Sequence, residues 1–155
     1  MFKANNRPGG TGNVKDTMNN ENNNTAADDI FGAPIYTYTR AEAVADGFQV
    51  AIDSKTAREA GFTIPVYMNR TVFAQYVEIP AGVEGQDVEG RLWDILHMLR
   101  VGIARSRSNG ARLEFQLYVR NDNRRPRLVT LAAEIGARDI DDASPAMTIM
   151  LPSED

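Results

Sequence analysis

The chain has no cysteine among its 155 residues. Disulfides and thiolate-held metals are therefore excluded, and the fold must be held by its core. It has one histidine, His97, so no histidine cluster is available for zinc. No apolar run approaches the roughly 20 residues that a membrane span requires. The start of the chain lacks the apolar stretch of a signal peptide, since residues 1–27 are almost wholly polar. Together these absences predict a cytoplasmic protein with no membrane partner. Neither sign of charge dominates: 17 Lys and Arg stand against 21 Asp and Glu, a net charge of −4. That balance neither marks nor excludes a nucleic-acid binder, because local patches matter more than the sum. There is no Gly-x-Ser-x-Gly elbow. The glycines of RPGGTGN (residues 7–13) lack the Lys-Ser/Thr pair of a phosphate-binding loop, and no cofactor is expected.

What is present divides by composition. Residues 1–27 are rich in Asn, Gly and Thr and cannot bury enough surface to offset the entropy of ordering. They are expected to form a flexible Asn-rich leader. Residues 28–155 are expected to form a single α+β domain, large enough to bury a core unaided. Ile30 and Phe31 break the polarity and are candidates to anchor the leader.

The longest periodic segment is DVEGRLWDILHMLRVGIARSRS, residues 87–108. Val88, Leu92, Ile95, Leu96, Leu99 and Ile103 recur at helical spacing and predict one apolar stripe. Asp87 can cap its start, and Asn109-Gly110 is the expected stop. Upstream, Thr39-Arg40-Ala41-Glu42 reads as a capping box opening a short helix that Gly47 closes. Residues 48–52 are a candidate strand. Asp53 and Ser54 cap a helical turn ended by Gly61. Residues 62–67 are extended, with Pro65 predicting a sheet edge or bulge. Asn69 is expected to cap a further short helix through Tyr76, with Val72, Phe73 and Tyr76 as its apolar side. Residues 79–86 read as loop.

The cleanest strand signal is residues 112–119, where Leu113, Phe115, Leu117 and Val119 alternate with polar positions. Residues 127–135 return after a turn. One register sets Phe115 opposite Leu131, Leu117 opposite Val129 and Arg112 opposite Glu134. Residues 136–145 read as an acidic loop, and Met147, Ile149 and Leu151 as a last strand. The expected architecture is an antiparallel three-stranded meander packed on one long helix, with short N-terminal helices and strands completing the core.

Four segments, YTRAEAVADG (38–47), TAREAGF (56–62), EGRLWDIL (89–96) and MTIMLPSED (147–155), together resemble a domain-of-unknown-function family carried by phages, plasmids and other bacterial mobile elements. The resemblance spans the whole expected domain. It implies a bacterial host cell and a small accessory protein that binds a host protein, inhibiting a defence or regulatory system. It implies no catalytic residues. The chain departs from the family's pattern at His97, where an apolar or aromatic residue is usual.

Three constellations carry chemistry. Asp94 and His97 lie three apart and can meet on one helix face, as an oriented general base would. No nucleophile stands near them, and the reading preferred here is a structural histidine at the edge of the core. Asp139, Asp141 and Asp142 offer oxygens to a divalent cation, but their spacing is not that of a calcium loop, and no metal is expected. The third is basic: Arg100, Arg105 and Arg107 end the long helix, Arg112 and Arg120 bound the next strand, and Arg124, Arg125 and Arg127 flank its turn. Planar guanidinium forks suit nucleic acid, a nucleotide or an acidic protein face, and Tyr118 adds a stacking surface. Arg112 and Arg120 are about 26 Å apart along an extended strand, so one continuous patch is not expected, while two small ones are compatible with the spacing. The residues leave open a protein-binding module, a nucleic-acid or nucleotide binder, and a small hydrolase. A homodimer through an uncovered strand edge fits all three.

Overall fold

The computed structural model describes residues 37–154. The expected leader and its Ile30–Phe31 anchor lie outside the described residues. The described chain runs α1 (Arg40–Ala45), β1 (Gln49–Ala51), α2 (Ser54–Glu59), β2 (Val66–Asn69), α3 (Arg70–Val72), a π turn (Phe73–Val77), α4 (Val88–Arg105), β3 (Arg112–Val119), β4 (Arg127–Asp139) and β5 (Asp142–Met150). The class is α+β.

Local chemistry accounts for the short helices. The Thr39 hydroxyl accepts from the Glu42 N–H, and the Glu42 carboxylate accepts from the Thr39 N–H, completing the capping box of α1. Asp53 caps α2 by accepting from the N–H groups of Lys55 and Thr56. Both helices end alike. Gly47 and Gly61 take left-handed φ of 79° and 91°. The following N–H groups, of Phe48 and Phe62, donate back to the carbonyls of Ala43 and Ala57.

Asn69 stands before α3 as expected, but its side chain makes no cap bond. It accepts from Gln49 Nε2 and donates to the Glu154 carboxylate, joining β1, β2 and the C-terminal turn. The long helix keeps its Asp87 cap, which accepts from Gly90 N–H at 2.7 Å. It ends at Arg105, four residues before the expected Asn109 stop, because Ser106 is already extended.

Among the described residues the sheet has five strands in the order β1-β2-β5-β4-β3, so the expected three-stranded sheet is corrected to five. β3, β4 and β5 pair antiparallel in succession. β2 adds to β5 in parallel, and β1 pairs antiparallel with β2. β2 is therefore an interior strand, and the edge or bulge expected from Pro65 is corrected. Pro65 stands just before the strand, where it gives up no ladder donor, and its carbonyl accepts from Met147 N–H. The expected loop at residues 136–145 is also corrected. β4 runs through Asp139 and β5 starts at Asp142, so the acidic residues form the tip of a hairpin. The expected register of β3 on β4 is the observed one, with Arg112 opposite Glu134 and Phe115 opposite Leu131.

The core lies between α4 and one face of the sheet. Ile95, Leu96 and Leu99 from α4 meet Phe115, Leu117, Leu131 and Ile149, with Met68, Val72 and Val77 completing the layer. Each such side chain contributes about 1.5–3 kcal/mol by leaving water. Val88, expected on the stripe, is exposed. Gly102 sets the approach of the helix, since a Cβ there would meet the Phe115 Cβ at 3.1 Å. No described helix is long and apolar enough to cross a membrane.

Candidate functional site: an aromatic cleft beside a buried arginine

The start of α4, the end of β3 and the loop between the π turn and α4 enclose an open cleft of about 400 Å³. Its walls include Tyr76, Trp93, Asp94, Tyr118, Arg120 and Pro126. Two aromatics on it face solvent: Trp93 is 40% exposed and Tyr118 is 69% exposed. The His97 ring stacks on Trp93 with centroids 6.4 Å apart and planes 23° from parallel. His97 is itself exposed, and its expected place at the edge of the core is corrected. Among the described residues no hydrogen bond joins it to Asp94. Tyr118 lies opposite Leu128, also exposed, in an apolar cross-strand pair.

The floor of the cleft is a polar lock that pattern reading missed. Arg91 is only 6% exposed. Its guanidinium donates to the Glu78 carbonyl at 2.6 Å, to the Arg120 carbonyl at 3.2 Å and to the Asn121 side-chain oxygen. Asn121 donates in turn to the Gln75 carbonyl, and Asn123 both donates to Gly82 and accepts from Glu84. Burial, together with the nearby Arg120 cation, holds the Arg91 guanidinium below its ordinary pKa. The signal was present, because Arg91 lies four residues before Ile95 and eight before Leu99, on the apolar stripe itself. Trp93 is on the opposite side of the helix, which periodicity marks only as outward.

The arginines do not gather into one site. Arg120 donates to the Glu84 carbonyl and closes the rim of the cleft. Arg112 bonds Glu134 at 3.4 Å and the carbonyls of Pro152 and Glu154 at 2.9 Å, so it fastens the C-terminal turn. Arg127 pairs with Asp122 at 3.6 Å. Arg124 and Arg125 are exposed on the turn beyond β3. Arg100 lies against Gly61, far along α4 from the cleft. Arg105 lines a separate groove with Met98, Val101 and Glu114, and Arg107 is exposed beyond the helix end.

The acidic tip serves the fold. The Asp139 carboxylate accepts from the N–H groups of Arg40, Ala41 and Ile140, and the bonds from Ile140 and Arg40 hold it below the usual carboxylate range. Asp142 accepts from Ser144 and pairs with Arg138. Among the described residues no group of three or more His, Asp or Glu is arranged to hold a metal. Comparison of the chain with family models, with curated proteins and with solved structures gave no match.

Proposed function

We propose that this is a non-enzymatic binding protein whose partner docks on the aromatic cleft. One observation carries the reading: Trp93 and Tyr118 stay exposed at a cleft whose floor is fixed by the Arg91 lock. Large aromatics in a preformed concavity are the side chains that dominate protein interfaces, because they bury much area at little entropic cost. The likeness to a mobile-element family points to a bacterial host protein as the partner and to inhibition of a defence or regulatory system as the outcome.

Tagged chain recovered from host lysate is expected to carry a stoichiometric partner. Trp93→Ala should weaken that association at least about tenfold while the fold is kept. A folded chain that retains no partner removes this reading, and a partner indifferent to Trp93→Ala removes the cleft from it.

A nucleic-acid or nucleotide binder is the second reading, supported by the exposure of Arg124 and Arg125 on the turn beyond Tyr118. It requires binding that falls steeply with salt and falls again on Arg124→Ala with Arg125→Ala.

A further inference from the structure

Among the described residues β3 is an edge strand of the five-stranded sheet. The Ile135 N–H donates to the Ala111 carbonyl, which places the odd-numbered residues of β3 in the hydrogen-bonded pairs with β4. The N–H and C=O groups of Glu114, Gln116 and Tyr118 therefore point outward, and among the described residues no backbone or side-chain group pairs with them. The strand is eight residues long, regular and free of proline. Beside it runs a groove of about 480 Å³, walled by Met98, Val101, Gly102 and Arg105 of α4 and by Glu114 to Gln116 of β3. An unpaired, straight edge of this length is a template for another strand.

We propose that the occupant is a second copy of this chain, added antiparallel through β3 about a two-fold axis at Phe115. Opposed residues must share a sheet face, so a shift of one residue is forbidden: it would set the buried series against the exposed one. Among the registers centred on Glu114, Phe115 or Gln116, which lie mid-strand, charge decides. An axis at Glu114 opposes that carboxylate to its own copy, and an axis at Gln116 opposes Arg112 to Arg120. With the axis at Phe115, Gln116 faces the other copy's Glu114 and Arg112 faces its Tyr118, and no like charges meet. Glu114 and Gln116 of each copy then exchange ladder bonds with Gln116 and Glu114 of the other. The close Gly102–Phe115 approach sets Val101 and Met98 at the level of the axis, where the two copies of α4 meet. This rests on the strand edge alone and not on the cleft.

The test is molar mass by light scattering and sedimentation from about 1 µM to about 200 µM. The full chain is expected to approach twice its 17.1 kDa mass as concentration rises. Gln116→Pro should stay monomeric while keeping its circular dichroism and melting temperature, because the lost N–H faces away from β4. The register makes a signed prediction as well. Gln116→Lys gains two pairs with Glu114 and should tighten the dimer about tenfold, whereas Gln116→Glu should loosen it by a similar factor. A chain that remains at 17.1 kDa throughout overturns the proposal and leaves the edge to a strand of another protein. A dimer that survives Gln116→Pro, or that responds alike to Lys and Glu, overturns it too.

Discussion

The two ends of β3 are each closed by an arginine, in physically different ways. At the Val119 end, Arg91 is buried and binds neutral acceptors: two backbone carbonyls and an amide oxygen. Among the described residues no carboxylate pairs with it. At the Arg112 end the cation is half-buried and shared between Glu134 and the carbonyls of the C-terminal turn. That turn is itself pinned by the Glu154 carboxylate, which accepts from Thr71, Asn69 and the Leu151 N–H. The first closure contains no titrating acid and the second is built on them. Arginine can thus act as a backbone clamp as readily as an ion-pair partner, and only the second use ties stability to acidity.

The sharpest break in this comparison is Arg91→Met. It leaves two carbonyls and an amide without donors, and it should cost about 3 kcal/mol in chemical denaturation. The difference from the parent should stay flat from about pH 5 to pH 8, since no carboxylate partner titrates. A cost under about 1 kcal/mol would show that the lock is not what holds the loop.

Glu154→Gln tests the other end and should cost less, about 1 kcal/mol at neutral pH. Burial pushes the Glu154 carboxyl up, but the bonds from Thr71, Leu151 and Asn69 outweigh it and hold it below its ordinary 4.5. A carboxyl depressed in the folded state adds stability above the unfolded pKa and loses it as pH falls through the folded one. The gap between parent and variant should therefore narrow as pH drops below about 4.5. A gap that stays constant in acid would contradict this account. The smallest effect belongs to Arg105→Ala with Arg107→Ala. Both side chains are exposed, and melting should place the pair within about 0.5 kcal/mol of the parent.

The parts of the fold legible in the sequence are those decided locally. The capping box at Thr39 and Glu42, the helix-ending Gly47 and Gly61, and the β3–β4 register each follow from residues near one another in the chain. β2 was misjudged for the opposite reason. Its parallel neighbour is β5, with Val66 paired to Met147, 81 positions later, and no local rule connects the two. Pro65 and Asn69 were then read by their average habits, edge and cap, which that distant pairing overrides. The acidic residues at 139–142 suggested loop because composition cannot distinguish a hairpin tip from an irregular segment.

The candidate site was legible only in part. Tyr118 stands exposed on the polar face of its strand, as its alternation predicts, and Arg112, Arg120 and Arg127 each have a partner within the protein. The hydrophobic period does not mark Trp93 as functional, because an outward aromatic on an amphipathic helix carries no period of its own.

The strand order has a consequence for how the molecule is made. β5 lies at the centre of the sheet, between β2 and β4, although it is the last described strand along the chain. During synthesis β1 and β2 emerge before β5 and, among the described strands, can at first pair only with each other. A two-stranded ribbon of that size is marginal in water. The described sheet can therefore be completed only once residues 142–150 have left the ribosome.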